Sequence, residues 1–143
     1  MREATEDAVG YLVKRVQQAF RRRSDAALRQ AGVSMAQYAV LRALADHPDA
    51  SAAELARLCF VTRQSLQDVL TGLRSAGLVD RASTPARGRA RALVLTDEGA
   101  RRLAEAHAAV FDVEASMLQG VSRDDQQRLT RLLATCAANL DAH

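Results

Sequence analysis

Apolar positions along this chain recur mostly at intervals of three and four, which predicts a helical protein with one short interruption. Val9, Leu12, Val13, Val16, Phe20 and Leu28 share a face over about residues 5–31, and Gly32 stops that helix. A second helix is expected over about 35–45, N-capped by Ser34, with Tyr38, Leu41 and Leu44 buried. His47-Pro48-Asp49 breaks the pattern. Ser51-Ala52-Ala53-Glu54 then has the spacing of a capping box. It opens a third helix that puts Leu55, Leu58 and Cys59 inward and ends near Phe60. Thr62 caps a fourth helix to about 76, with Leu66, Val69, Leu70 and Leu73 inside and Gly77 as its stop.

The period changes after Gly77. Residues 78–81 and 92–95 are short extended runs, and Pro85 and Gly88 between them cannot continue a helix. They predict a two-stranded hairpin with an Arg-rich tip. Thr96 caps a fifth helix over about 97–119, along which Leu103, Ala106, Val110, Val113 and Met117 align. Ser122 caps a sixth to about 140, with Leu129, Leu132, Leu133, Cys136 and Leu140 on one face. The expected fold is mainly α, a single domain over 1–143. Its centre is a winged helix-turn-helix reading head at 34–99 with a two-stranded wing. Long N- and C-terminal helices, at 5–31 and 97–140, carry apolar stripes larger than one small head can cover, which predicts dimerisation.

Composition supports packed helices. Of 143 residues, 48% are hydrophobic but only 3% aromatic, so the core rests on Leu, Val and Ala. The formal net charge is a mild +3, yet its distribution is uneven. Between Leu55 and Ala92 stand Arg57, Arg63, Arg74, Arg81, Arg87, Arg89 and Arg91 against Asp68 and Asp80 alone. Such a surplus suits a phosphate-rich partner. Two isolated cysteines, no metal-ligand cluster, no leader-like start and no apolar run long enough for a membrane predict a cytoplasmic protein without metal or cofactor.

The candidate chemistry is DNA reading. A second helix packed on a first can enter a major groove about 12 Å wide, its N-terminal end nearest the bases. The polar face of the fourth helix and its cap supply Thr62, Arg63, Gln64, Ser65, Gln67, Asp68, Thr71 and Arg74. At the wing tip, Arg87, Arg89 and Arg91 alternate with small residues, which keeps the chain thin enough for a narrow minor groove. Enzyme motifs are missing: there is no GxSxG, P-loop, HExxH or GxGxxG. Asp124 and Asp125 are explained as helix N-terminal charges.

In order and spacing the chain resembles the MarR family of transcriptional regulators. The residues that carry the resemblance are Gly32-Val33-Ser34-Met35-Ala36-Gln37-Tyr38-Ala39-Val40-Leu41, Ala53-Glu54-Leu55-Ala56, Val61-Thr62-Arg63-Gln64-Ser65-Leu66, Leu73-Arg74-Ser75-Ala76-Gly77-Leu78-Val79-Asp80-Arg81 and Leu93-Val94-Leu95-Thr96-Asp97-Glu98-Gly99. The resemblance implies a homodimer joined through helices one, five and six. It implies double-stranded DNA with a pseudo-palindromic operator as partner, and release by a small phenolic or amphipathic ligand.

Three positions depart from the family pattern. Arg87 stands where an Asp often braces the wing arginine, Asp68 stands where many members carry Arg, and Phe60 occupies a turn position that is often small. Asp68 either accepts from a cytosine amino group or pairs with Arg63 or Gln64; the pairing is the favoured reading. Phe60 is expected to widen the turn. Tyr11, Arg15, Tyr38, His107 and Phe111 are candidates for an effector pocket between reading head and dimer helices, the alternative being ordinary core and surface. Cys59 falls on an apolar position, where a structural thiol is the expectation and a redox sensor the alternative. A winged-helix adaptor that binds protein instead of DNA is the remaining alternative.

Overall fold

The computed structural model describes residues 4–82 and 93–142. A single 3-10 turn at Thr5–Asp7 precedes α1 (Val9–Gln30). Then follow α2 (Met35–Asp46), α3 (Ala52–Leu58), α4 (Arg63–Ser75), β1 (Val79–Arg81), β2 (Leu93–Leu95), α5 (Asp97–Met117) and α6 (Arg123–Asp141). The predicted order of four helices, hairpin and two helices is thus the observed one. The chain divides into two compact units, Met1–Val113 and Glu114–His143.

The first unit is built around a Leu-rich core. Leu28, Leu41, Leu66 and Leu73, from α1, α2 and α4, have no exposed surface, and Tyr38, Val40, Leu44, Leu55, Leu70, Ala106 and Val110 join them. Local chemistry starts each helix. Ser34 accepts from the Gln37 amide while the Gln37 side chain accepts from the Ser34 amide, a complete capping box. At Ser51 only half the expected box forms: its hydroxyl accepts from the Glu54 amide at 3.2 Å, without the return bond. Thr62 and Ser122 cap α4 and α6 in the same way.

The inner face of α3 differs from expectation. Leu55 and Ala56 are buried, Ala52 and Cys59 are half-buried, and Leu58 is exposed. Positions 52, 55, 56 and 59 form the i, i+3, i+4, i+7 stripe, and Leu58 lies off it.

Three helices end in one geometry. Gly32 donates to the Arg29 carbonyl and Val33 to Leu28; Gly77 donates to Arg74 and Leu78 to Leu73; Phe60 donates to Arg57 and Val61 to Ala56. Each is a Schellman ending, with its left-handed residue at φ of 77°, 76° and 56° respectively. The turn at Phe60 is therefore tight, not wide. A large side chain does not open it, because the six-residue bond from Val61 to Ala56 sets its size.

β1 and β2 pair antiparallel, with Val79 opposite Leu95 and Arg81 opposite Leu93. Below them the chain is locked to α5. Thr96 donates its amide to Leu78 and its hydroxyl to the Gly77 carbonyl at 2.7 Å, and the same oxygen accepts from the Gly99 amide. Gly99 lies so close to Leu78 that a Cβ there would collide with the Leu78 carbonyl oxygen. Arg102, held by Glu98 at 3.3 Å, donates to the Gly32 carbonyl and so ties α5 to the end of α1.

The second unit holds the end of α5, a turn through Gly120 and α6. Leu129, Leu132, Leu133 and Leu140 of α6 are all exposed. On α1, Val9, Leu12, Val13 and Val16 are exposed as well.

Gly99→Ala is expected to cost about 2 kcal/mol or more in urea unfolding, since backbone must move to admit the methyl. Gly72→Ala, in mid-α4 with nothing nearer than 3.9 Å, is expected to gain about 0.5–1 kcal/mol. Equal effects at the two positions would contradict the close approach.

Candidate nucleic-acid interface and ligand-contact residues

α4 is amphipathic, which is what a reading helix requires. Leu66, Leu70 and Leu73 anchor it, Val69 is half-buried, and Arg63, Gln64, Gln67, Asp68, Thr71 and Arg74 are exposed. Its first turn is stiffened from within. The Thr62 hydroxyl accepts from the Ser65 amide at 3.0 Å and lies 3.1 Å from the Ser65 hydroxyl, to which it donates. Thr71 donates to the Gln67 carbonyl. Gln64 donates to Asp68 at 3.3 Å, so the carboxylate pairs within the helix as favoured, with Gln64 as its partner. Among the described residues Arg63, Gln67 and Arg74 are exposed and form no side-chain hydrogen bond.

The strands hold the base of the wing beside α4. A shallow concavity of about 450 Å³ lies there, lined by Thr71, Arg74, Ser75, Asp80 and Thr96. Asp80 accepts from the Arg81 amide at 2.8 Å. Arg87, Arg89 and Arg91 lie outside the described residues, and so does the missing brace at Arg87.

Of the five effector candidates, the fold brings Tyr38 and His107 together. The buried Tyr38 hydroxyl lies 3.0 Å from His107 Nδ1. The direction of this bond follows the ring tautomer: the phenol donates to a bare Nδ1, or a protonated Nδ1 donates to the phenol oxygen. Arg42, which is not among the five, adds a donor to the Tyr38 oxygen at 3.4 Å and faces Asp46 at 3.8 Å. It stands one turn after Tyr38, so i, i+4 spacing was the available signal. Tyr11, Arg15 and Phe111 are exposed on α1 and α5 and join no hydrogen bond with that pair.

Cys59 is half-buried and Cys136 exposed. Burial pushes the Cys59 thiol up, which lowers its thiolate fraction at neutral pH and opposes a sensor role. Among the described residues no group of His, Cys, Asp or Glu is arranged to hold a metal ion, and no helix is long and apolar enough to cross a membrane.

A short buttress helix, a capped helix with a polar outer face and a two-stranded wing define a winged helix-turn-helix. Residues 31–90 match the MarR family profile. Over 130 residues the chain is 34% identical to the HTH-type transcriptional repressor Rv2887 of Mycobacterium tuberculosis, covering 91% of this chain and 94% of that protein. The crystal structure of Rv2887 with salicylic acid shares the fold at a TM-score of 0.75 and 34% identity, over 93% of this chain and 99% of that one. The complex of Rv2887 with DNA does so at 0.73 and 32%, over 90% and 97%. The chain belongs to the MarR family of transcriptional regulators.

Alkylation of Cys59 by iodoacetamide at pH 7.5 is expected to run several-fold slower than that of an unhindered small thiol such as free cysteine, and to accelerate as pH rises toward the elevated thiol pKa. Peptide mass spectrometry of a time course reads the Cys59 site; a rate equal to or above that of the small thiol would restore it as a redox candidate.

Proposed function

We propose that the protein is a homodimeric, sequence-specific repressor that leaves its operator on binding a small aromatic acid. The observation that carries the reading is the polar outer face of α4, anchored by leucines and leading with Thr62, Arg63 and Gln64 at its N-terminal end. That end joins partial positive charge to donors suited to base edges and phosphates. Rv2887, a repressor, has been crystallised with DNA and with salicylic acid, which supports both partners for this relative.

Dimerisation follows from the exposed apolar stripes. Val9, Val13 and Val16 on α1 and Leu132, Leu133 and Leu140 on α6 leave more apolar surface open than a monomer ordinarily tolerates. In this reading Arg63, Gln64, Ser65, Gln67, Asp68 and Arg74 face the major groove with Thr62 and Thr71 beside them. Arg87, Arg89 and Arg91 enter the minor groove. Tyr38, Arg42 and His107 supply polar contacts for the ligand, with Tyr11, Arg15 and Phe111 toward the dimer helices.

A gel shift with duplex selected by the wild-type protein from a random pool tests the DNA reading. Retention should weaken steeply with salt. Arg89→Ala should weaken binding across sequences and lower the salt slope by about one for each phosphate it ceases to neutralise, whereas Gln64→Ala should change which bases are selected. No retention at any salt would refute the reading.

Salicylate is expected to raise the Tm of the wild type and to release the selected duplex. His107→Ala should reduce that shift by half or more while remaining folded. An undiminished shift would remove Tyr38 and His107 from the ligand site.

A further inference from the structure

The three Schellman endings are chemically unequal. At α1 and α4 the left-handed position is Gly32 and Gly77, whereas at α3 it is Phe60, at φ 56°. Glycine meets no Cβ penalty there; a bulky L-residue does. Strain of this kind persists where the side chain is needed. Packing does not explain the choice, because Phe60 is 95% exposed. The chain has three Phe and no Trp, so a whole aromatic side chain is placed in water in a protein poor in them.

The position of Phe60 names its use. It stands two residues before Thr62, the N-cap of the reading helix. Its backbone is pinned by its own bond to Arg57 and by that of Val61 to Ala56, so the ring leaves a rigid turn. The neighbouring groups on α4, Arg63, Gln64 and Gln67, are polar and suit hydrogen-bonding edges of bases. None supplies an apolar surface. The one apolar group that a base presents in the major groove is the C5-methyl of thymine.

We propose that Phe60 is a specificity-determining residue that covers a thymine methyl at the edge of each operator half-site. The assignment rests on the DNA-binding reading above. It explains why a strained Phe stands where Gly would be more stable: the ring is buried only in the complex, and the cost in the free protein is regained there. It also divides recognition within one turn, with Phe60 reading a methyl and Gln64 and Arg63 reading hydrogen-bonding edges.

The test combines two variants with methyl deletion in the DNA. Phe60→Gly removes ring and strain together; Phe60→Ala removes the ring but keeps the left-handed Cβ. Both should bind the selected duplex about tenfold more weakly by fluorescence anisotropy. Phe60→Gly should melt at or above the wild-type Tm, by up to about 4 °C, and Phe60→Ala should not gain. Replacing thymines one at a time by uracil should cost the wild type about fourfold at one position per half-site, and cost the Gly variant nothing there. Wild-type affinity in both variants would overturn the inference while leaving the DNA reading intact, as would equal uracil penalties in all three proteins. Absence of any duplex binding by the wild type would overturn both.

Discussion

The junction of α4, the wing and α5 is the constraint on which the reading head depends. Thr96 closes it with three hydrogen bonds, to Gly77, Leu78 and Gly99, and Gly99 lets α5 press its first turn onto the Leu78 carbonyl. Through this point the end of the reading helix, the base of both strands and the start of α5 become one rigid piece. Arg102, further along α5, then reaches the Gly32 carbonyl and brings the end of α1 into register with it. The dimer proposed above would need to hold two reading heads at a spacing matched to two half-sites. A stiff joint between reading helix and long helix serves that need, whereas a loose one would dissipate it.

On the proposed function, a route from ligand to DNA face runs through α2 and α5. Tyr38 belongs to α2, which packs against α4, and His107 belongs to α5. Their 3.0 Å contact links the helix beneath the reading unit to the one leaving the wing. A ligand that favours one arrangement of this pair shifts the head only by its differential affinity for the two arrangements. Arg42 adds a cation to the same cluster, donating to the Tyr38 oxygen and facing Asp46.

Stability and recognition pull apart at Phe60. Elsewhere the chain follows local preference closely: Ser and Thr at N-caps, Gly at two left-handed ends, Leu on inner faces. Local rules are broken mainly where function demands it. The buried Ser24 hydroxyl, which finds no partner, is a second departure, and nothing in the structure explains it.

Periodicity and capping chemistry are short-range properties, so the sequence alone determined the element order, the N-caps at Ser34, Thr62 and Ser122, and the amphipathic α4. The family followed from the order of those pieces. What lies across the fold was not legible. No local pattern distinguishes Gly99 from an ordinary helical Gly, because its necessity comes from a carbonyl 21 residues earlier. Arg42 gains meaning only when α5 carries His107 to Tyr38, 69 residues away. Leu58 reads as core until the short α3 turns it outward. Phe60 looked like a bulky residue in a turn; its strain and exposure emerged only when the Schellman bonds set its φ. Sequence specifies what each segment prefers, and tertiary contact decides which preferences are kept, since only packing brings distant backbone and side chains within reach.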